Sequence, residues 1–343
     1  MLTSDFDYNL PQNLIAQKPL EKRDDSRMMV VFGKEGKIIH SRFKDLPFYL
    51  SQGDILVLNN TRVIPAKAFA KKDGKIIEFL FLHKKENRTW EVLCKPAKKI
   101  KPGDVVFFAP GFEGKVLGAE PEGKRIIQFS SRDIFFWLRK IGYAPLPPYI
   151  KRKEGNSRLR FFDLERYQTV FAQKQGAIAA PTAGLHFTPE ILKEIRKKRV
   201  KVSQISLQVG LATFQPVRTE RIEDHKMLEE TYSISRAVSL AINQAKKESR
   251  PVVAVGTTVV RALESAFKDG QVLPGRRSTS LFIRPGYEFK VVDRLLTNFH
   301  LPRSTLLMLV SAFVGLDLIK KAYNEAIEKK YRFYSYGDCM LVV

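Results

Sequence analysis

Turn signals recur at short intervals between residues 66 and 142, and this spacing constrains the fold more than any other feature of the sequence. Four glycine-containing dipeptides favour tight turns: Asp73-Gly74, Pro102-Gly103, Pro110-Gly111 and Glu122-Gly123. Short runs rich in β-branched and aromatic residues lie between them: Lys75 to His83, Trp90 to Cys94 and Val105 to Phe108. Several short strands separated by regular turns predict a small all-β unit, a barrel.

The chain on both sides of this stretch has the pattern of an α/β domain. Before it, Ile55 to Leu58 predicts a buried strand, and after Pro145 helical and strand-like periodicities alternate. The proline-rich segment Pro145 to Tyr149 marks the return to this pattern, because consecutive prolines favour extended, stiff chain. We therefore predict an α/β fold with a discontinuous α/β domain interrupted by an inserted small all-β barrel. The predicted boundaries are 1–65 for the first α/β part, 66–144 for the barrel and 145–343 for the second α/β part, which carries most of the active site.

The charge of the chain indicates a polyanionic partner. Lys and Arg total 59 and Asp and Glu total 36, which gives a formal net charge of +23. Such an excess attracts nucleic acid at long range and gains affinity from counterion release. A generally basic surface without a specific partner is the alternative. The apolar fraction of 44% is enough to form a folded core.

Several classes of protein are disfavoured by the sequence. Cys94 and Cys339 lie far apart and form no CxxC pair, so neither a zinc site nor a disulfide framework is indicated. The first residues, MLTSDFDYN, are acidic and contain no apolar run, unlike a signal peptide. The longest nearly apolar stretch, Leu306 to Leu316, is too short to cross a bilayer and predicts a buried helix. We expect a cytoplasmic protein without a bound metal.

Two loop segments combine small residues with a following helix. APTAGLHFT, Ala180 to Thr188, allows close approach of a ligand to the backbone, and its end at a helix start favours anions. It contains His186, which packing in a tight turn would also explain. In VAVGTTVVRALES, Val253 to Ser265, a strand runs into Gly256-Thr257-Thr258 and then a helix, a common position for a carboxylate, phosphate or ribose. An ordinary capped connection is equally compatible with this second segment.

A third segment places polar residues between a strand and an apolar helix. TNFHLPRSTLLMLVSAF, Thr297 to Phe313, predicts a strand that ends at Phe299 and a core helix after it. Its functional candidates are Asn298, His300 and Arg303. They are predicted to share the sheet edge of the Gly256 segment.

The fourth segment is YRFYSYGDCML, Tyr331 to Leu341. Its interleaved arginine and aromatic residues suit stacking on nucleic-acid bases. An aromatic strand with one buried face is the commoner explanation of the same pattern. Asp338, after Gly337, is either a turn residue or a general base.

Together the four segments resemble one family, the S-adenosylmethionine:tRNA ribosyltransferase-isomerases of queuosine biosynthesis. Further blocks extend this resemblance over essentially the whole chain: DYNLPQNLIAQKP (Asp7 to Pro19), RDDSRMMV (Arg23 to Val30), LNNTRVIPAK (Leu58 to Lys67), PLPPYI (Pro145 to Ile150) and RYQTVFA (Arg166 to Ala172). Nine blocks in the same order argue against chance similarity, although the inserted barrel contributes little to the match.

Two positions depart from the pattern of this family. Leu228 stands where the family usually has His, and Arg284 stands where it usually has Tyr. Either the missing His is dispensable, or His225 or Glu230 takes over its role.

The resemblance implies a two-domain protein with a discontinuous α/β domain and an inserted β-barrel, in agreement with the boundaries above. It implies transfer and isomerisation of the ribosyl moiety of S-adenosylmethionine onto 7-aminomethyl-7-deazaguanine at the tRNA wobble position. Epoxyqueuosine-tRNA, adenine and methionine are the implied products. S-adenosylmethionine is then a co-substrate, with no prosthetic group and no metal, and the protein is a monomer.

This reaction requires a base for the acidic proton beside the sulfonium and a donor for the departing adenine. His186 and His300 are the leading acid–base candidates, followed by Asp338 and Glu230. The division of steps among them stays open. The candidates for binding S-adenosylmethionine are Thr182, Gly184, Gly256, Thr257, Thr258 and Asn298. We expect the site between the α/β sheet edge and the barrel, and we assign His40 and His83 to surface or packing.

Contacts with tRNA are predicted from basic residues in or beside the matching blocks. These candidates are Arg62, Lys151, Arg152, Arg166, Arg303 and Arg332, and solvated surface charge is the alternative for each. Two rival functions remain. An RNA methyltransferase is disfavoured because no Gly-rich loop follows an early strand, and a non-catalytic RNA-binding module would not need two loop histidines.

Overall fold

The computed structural model describes residues 1–152, 157–210 and 217–343, without the side chain of Ser157. The chain divides into two compact units, described separately below. The first unit comprises Met1–Arg62, Pro147–Lys151 and Gln168–Val343, and the second comprises Val63–Leu146 and Arg152–Tyr167. The segment Arg152–Tyr167 thus groups with the second unit, whereas the sequence placed it in the α/β part. The predicted domain boundaries stay a prediction.

Nine of the described strands form one mixed sheet in the first unit. With strands numbered in chain order, they are β1 (Arg27–Phe32), β2 (Lys37–Arg42), β3 (Ile55–Asn59), β12 (Lys201–Leu207), β13 (Glu230–Ile234), β14 (Val252–Val255), β17 (Gly275–Thr279), β18 (Arg294–Asn298) and β19 (Cys339–Val342). Their order across the sheet is β17-β13-β12-β3-β14-β18-β19-β1-β2. Strands β12, β3, β14 and β18 run parallel, so their carboxyl ends meet at one edge.

The central strands are covered on both faces, and this explains their composition. In β14 every side chain is buried: Val252 and Ala254 belong to one apolar cluster, and Val253 and Val255 belong to the other. Parallel strands buried on both faces favour continuous β-branched sequence rather than alternation. The helices of this unit are α3 (Pro189–Lys197), α4 (Arg236–Lys247), α5 (Thr257–Ala266), α6 (Thr305–Val314) and α7 (Leu316–Glu328). Helix α3 packs in one cluster and the other four pack in the second.

The local signals for helices α3 and α6 act as the sequence indicates. Thr188 caps α3 by accepting a hydrogen bond from the Ile191 amide, and Ser304 caps α6 through the Leu307 amide. Helix α6 is the predicted buried helix, and it ends at Gly315 with φ +86°. Among the described residues, no helix is long and apolar enough to cross a membrane.

The predicted aromatic strand after Tyr331 is wrong for most of its length. Only β19 is a strand there, and the preceding residues form a tight loop with buried rings. The loop folds back so closely that a Cβ at Gly337 would lie 2.4 Å from the Arg332 carbonyl oxygen. Tyr334 has φ +70°, which an extended strand does not allow.

The second unit contains a closed antiparallel barrel. Its strands are β5 (Lys67–Lys72), β6 (Lys75–Glu86), β7 (Thr89–Lys95), β8 (Val105–Ala109), β9 (Phe112–Ala119) and β10 (Lys124–Phe129), in the order β10-β7-β6-β5-β8-β9. Aromatic rings fill it: Phe81 and Phe112 both stack on Phe129, and Trp137 stacks on Phe112 at 5.0 Å between centroids. Trp137 lies on α1 (Ile134–Ile141), and α2 (Ser157–Arg166) completes this unit. The remaining short strands are β4 (Thr61–Val63), β11 (Lys174–Ala177), β15 (Phe267–Lys268) and β16 (Gln271–Val272). The predicted class, α/β with an inserted all-β barrel, is confirmed.

Candidate active site

A cleft of the first unit lies at the carboxyl ends of β14 and β18. The cleft contains about 580 Å³ of space that no protein atom occupies, and part of this space is open to solvent. Segments 180–183, 256–258 and 297–301 line it, together with Tyr149, Tyr334 and Ser335. Ligands of open α/β sheets bind at this edge, because loops there diverge beyond the strand ends. The cleft thus unites the Ala180, Gly256 and Thr297 segments that the sequence singled out separately.

The turn between β14 and α5 contributes hydrogen-bond donors. Gly256 has φ +89°, a conformation that favours glycine, and its amide donates to the Leu296 carbonyl at 2.8 Å. Helix α5 begins immediately afterwards, and the amides of Thr257 and Thr258 have no protein acceptor among the described residues. Free amides at a helix start favour an anion or a carboxylate. This wall of the cleft is therefore suited to a negatively charged group.

Asn59 fixes the end of β3 beside this turn, and the sequence prediction overlooked it. Its Oδ1 accepts from the amides of Leu207, at 3.0 Å, and Thr61, at 3.2 Å. Its Nδ2 donates to the Leu207 carbonyl at 3.1 Å and lies 3.5 Å from Thr258 Oγ1. The side chain therefore holds β3, β12 and the first turn of α5 together. Asn59 belongs to the LNNTRVIPAK block, in which the sequence prediction gave a role to Arg62 but none to Asn59.

His186 is buried behind the cleft and does not line it. Its Nδ1 lies 2.7 Å from Ser26 Oγ, and its Nε2 lies 3.2 Å from Asn298 Nδ2. Burial, together with the positive charges of Arg23 and Arg332, lowers the pKa of His186 to about 3. Both ring nitrogens are therefore engaged with protein groups, and the ring is neutral near pH 7.

His300 lines the cleft directly. Its Nε2 lies 2.7 Å from Thr297 Oγ1, while Nδ1 has no hydrogen-bond partner among the described residues. The backbone fixes its position: the His300 amide donates to Tyr323 Oη at 2.9 Å, and its carbonyl accepts from Tyr8 Oη. Burial lowers the pKa of His300 to about 3, so this ring is also neutral near pH 7.

Asn298 and Thr182 join two of these segments across the cleft. Thr182 Oγ1 donates to Asn298 Oδ1 at 2.8 Å. Asn298 Nδ2 also lies 3.4 Å from the Asp338 carbonyl oxygen. Both residues line the cleft, as do Gly256, Thr257 and Thr258. The structure thus brings together five of the six residues predicted to bind S-adenosylmethionine.

Gly184, the sixth, does not line the cleft. A Cβ at this position would lie 2.8 Å from the Phe171 ring and 2.9 Å from the methyl group of Thr169. Close packing of the loop against these two side chains accounts for the glycine.

The two carboxylates named as reserve acid–base candidates lie away from the cleft lining. Glu230 forms a buried ion pair with Arg261 and accepts from the Gly210 amide at 3.3 Å. Asp338 accepts from the amides of Arg27, at 3.0 Å, and Arg332, at 2.8 Å, and pairs with Arg27 Nε at 3.2 Å. Both carboxylates thus hold elements of the fold together. Among the described residues, no group of three or more His, Cys, Asp or Glu side chains is arranged to hold a metal.

The two departures from the family pattern both lie outside the cleft lining. Leu228 is 61% exposed, and Arg284 pairs with Glu223 at 3.3 Å. His225 packs edge-on to Phe282, with 5.4 Å between the ring centroids. None of these residues lines the cleft.

The six cations predicted to contact tRNA differ in their surroundings. Arg62 and Lys151 are exposed, and Arg303 pairs with Asp7 at the surface. Arg152 is half-buried and bidentate with Asp163, at 2.7 and 2.8 Å. Arg166 and Arg332 are partly buried: the former lies over the Phe162 ring, and the latter donates to the Lys18 carbonyl.

Tyr149 and Tyr334 add an aromatic wall to the cleft. Tyr334 lies in the fourth segment that the sequence singled out, whereas the prediction gave Tyr149 no role. Their ring centroids lie 4.7 Å apart, and Tyr149 Oη lies 2.7 Å from Ser335 Oγ. Tyr149 belongs to the PLPPYI block and Ser26 to RDDSRMMV, both quoted only for resemblance. Their distance in sequence from the loop segments left no local signal that they meet there.

Comparisons with known proteins identify the family of this chain. The family described as "Queuosine biosynthesis protein" matches residues 3–342. A protein of Carboxydothermus hydrogenoformans named S-adenosylmethionine:tRNA ribosyltransferase-isomerase is 50% identical over 346 residues, which cover 100% of both chains. A protein of the same name from Natranaerobius thermophilus is 50% identical over 348 residues, covering 100% of this chain and 99% of the other.

A solved structure shares the fold. The crystal structure of S-adenosylmethionine tRNA ribosyltransferase from Thermotoga maritima superposes with a TM-score of 0.56 and is 37% identical. The match covers 99% of this chain and 100% of the other. On this evidence the chain belongs to the queuosine biosynthesis protein family and is, like these relatives, a transferase.

Proposed function

We propose that this chain transfers and isomerises the ribosyl moiety of S-adenosylmethionine onto 7-aminomethyl-7-deazaguanine at the wobble position of tRNA. The products are epoxyqueuosine-tRNA, adenine and methionine. The full-length identity of 50% to relatives named for this activity supports the reaction class. The observation that carries the assignment to a site is the cleft itself. It brings together helix amides that have no acceptor in the described part of the chain, an amide–hydroxyl pair and one histidine.

The donor wall at Thr257 and Thr258 suits the carboxylate of the methionine part. Free amides at a helix start stabilise such a charge without needing a cationic side chain. The Asn298–Thr182 pair supplies oxygen and nitrogen atoms for the polar groups of ribose or of the amino-acid end. These assignments account for the threonine and asparagine side chains in the cleft lining.

His300 is the candidate for proton transfer in this cleft. The carbon beside a sulfonium is acidic, and its proton must be removed before the ribosyl unit is rearranged. A neutral imidazole accepts a proton at Nδ1 when its Nε2–H donates to Thr297, and His300 Nδ1 has no partner among the described residues. Thr297 and the two backbone contacts hold the ring in place, as positioning for proton transfer requires.

The tRNA substrate accounts for the basic excess of the chain. Arg62, Lys151 and Arg303 are the exposed cations among the predicted contacts, and Arg303 shares its charge with Asp7. Since tRNA and S-adenosylmethionine are the substrates, we place the protein in the cytoplasm and expect it to act as a monomer without a metal.

One experiment separates this function from its rivals. The protein is incubated with S-adenosylmethionine and tRNA that carries the aminomethyl base, and the small molecules are then separated. Adenine and methionine in equal amounts are the expected products. Release of S-adenosylhomocysteine would identify a methyltransferase instead. Tight tRNA binding without turnover would identify a binding module.

A further inference from the structure

The hydrogen bonds behind the cleft form one chain with a fixed direction. Ser26, His186, Asn298 and Thr182 follow one another in it. Two backbone carbonyls terminate or flank it: Ser26 Oγ donates to the Arg23 carbonyl at 3.2 Å, and Asn298 Nδ2 donates to the Asp338 carbonyl at 3.4 Å. A carbonyl oxygen only accepts, so these two contacts determine where the protons lie.

The Asp338 carbonyl shows which way the Asn298 amide is oriented. If this amide were flipped, its own oxygen would face the Asp338 carbonyl, and two acceptors would oppose each other. The NH₂ group therefore points to Asp338 and to His186, while Oδ1 points to Thr182. His186 Nε2 must then be an acceptor, because it faces an N–H donor.

The tautomer of His186 follows from the other end of the chain. With Nε2 as an acceptor, the ring proton is on Nδ1, which donates to Ser26 Oγ at 2.7 Å. Ser26 is free to accept it, since its own proton goes to the Arg23 carbonyl. A doubly protonated ring would turn a donor toward the Asn298 NH₂ group. The positive charges of Arg23 and Arg332 act on this ring and also oppose its protonation.

We infer that His186 is a positioning residue whose Nδ1–H tautomer fixes the orientation of the Asn298 amide. With this orientation fixed, Asn298 and Thr182 present hydrogen-bond acceptors to the cleft and select a donor group of the ligand. The Thr182 proton is committed to Asn298 Oδ1, which leaves the lone pairs of its oxygen for the cleft. This inference rests on the proposed function, which makes S-adenosylmethionine the ligand. Its donors are the α-ammonium, the ribose hydroxyls and the 6-amino group of adenine.

The first test measures S-adenosylmethionine binding to the enzyme alone by calorimetry. His186→Gln retains an acceptor toward Asn298 and should bind within about threefold of the parent, whereas His186→Leu should bind about ten- to a hundredfold more weakly. Ser26→Ala removes the acceptor of the His186 Nδ1–H, so that the ring is no longer held in this tautomer. We expect binding to weaken about three- to tenfold. Ser26→Ala also serves as the milder variant if His186→Leu does not fold. Equal binding by the parent, His186→Leu and Ser26→Ala would overturn the inference.

The second test is the pH profile of turnover. A positioning role predicts that His186→Gln keeps every limb of the parental profile. Loss of one limb, together with a fall in turnover of about 10²–10⁴-fold and unchanged binding, would show that His186 itself moves a proton.

A third test identifies the donor that Thr182 recognises. Thr182→Val removes the acceptor with little change in shape and should weaken S-adenosylmethionine binding about tenfold. The analogues lacking the α-amino group, the 2′-hydroxyl, the 3′-hydroxyl or the adenine 6-amino group are then titrated against both proteins. The analogue without the recognised donor should bind the parent and Thr182→Val equally. Equal weakening for all four analogues would overturn donor selection.

These results also separate this inference from the function on which it rests. A parent protein that binds no S-adenosylmethionine overturns both. A parent that binds it and releases adenine and methionine, while the variants show none of the expected differences, overturns the inference alone.

Discussion

The loops that carry His186 and His300 look alike in sequence but differ in what their rings contact. Each histidine follows a predicted strand and precedes a capped helix, and burial lowers the pKa of each to about 3. Both nitrogens of His186 are occupied by Ser26 and Asn298, whereas the His300 ring bonds through Nε2 to Thr297 and has no partner at Nδ1 in the part of the chain that the structure describes. A ring with both nitrogens engaged orients its neighbours, and a ring with one nitrogen free is able to exchange a proton with a ligand. Burial and scarcity alone therefore do not identify an acid–base residue.

The largest effect is expected from removing the free ring nitrogen. We predict that His300→Gln lowers turnover by about 10²–10⁴-fold, or about 3–5 kcal/mol of barrier, because the proton acceptor of the cleft is lost. Adenine release in single-turnover experiments measures this change. The exposed His83 of the barrel supplies the matched control, and His83→Gln should stay within a few-fold of the parent. Near-parental turnover by His300→Gln would place the base elsewhere.

Glu230 sharpens the contrast between structural and chemical roles. Glu230→Gln should lower the free energy of unfolding by about 3 kcal/mol, because it leaves Arg261 charged, buried and without its ion-pair partner. Urea unfolding measures this change, and the folded variant should keep turnover within a few-fold. The neighbouring Glu229→Gln, at a position that is exposed, should have little effect on stability. A fully stable Glu230→Gln protein that has lost turnover would contradict this assignment.

The lowered pKa of His186 predicts a loss of stability in acid. An unfolded histidine binds a proton below about pH 6.5, whereas the folded ring stays neutral down to about pH 3. The unfolded state thus binds more protons in this window, and stability falls with pH by about 1.4 kcal/mol per unit for each such histidine. We predict that His186→Gln reduces this acid-dependent loss, measured by urea unfolding between pH 7 and 4.5. The control His83→Gln should leave the pH dependence of the free energy of unfolding unchanged. If His186→Gln also left it unchanged, the His186 ring of the folded protein would titrate normally.

The smallest effect concerns the surface cations and the salt dependence of tRNA binding. Arg62→Gln and Lys151→Gln should each reduce the log–log salt slope by about 0.7–0.9, the value for one phosphate contact. Arg152→Gln should lower stability more than it changes the slope, because Arg152 is already paired with Asp163. The affinity of each variant for tRNA, measured from low to high salt, gives these slopes. Slopes unchanged in both exposed-site variants would remove these residues from the tRNA contact.

Much of the fold was predictable because its signals are local. The turns of the barrel, the fully apolar strand β14 and the caps at Thr188 and Ser304 each depend on a few neighbouring residues. The loop after Tyr331 was not predictable in the same way. Its alternating aromatic residues are typical of a strand, but Gly337 and the contacts of Asp338 with two distant amides fold it back.

By itself, the sequence determined the fold class, the family resemblance and the set of loops that meet at the cleft. Short-range periodicity and turn chemistry indicate the fold class, since each element needs only its own residues to be recognised. The sequence blocks carry the family resemblance and mark the loops. Only the tertiary structure decided which of the two loop histidines keeps a nitrogen without a partner among the described residues, and that Gly184 serves packing. It also decided that Tyr149 lines the cleft and that Ser26 and Asn59 bond to His186 and Thr258. Ser26 and His186 are 160 positions apart, and Thr182 and Asn298 are 116 apart. A hydrogen bond over such a separation exists only when the sheet brings the strand ends together, and no local pattern encodes it.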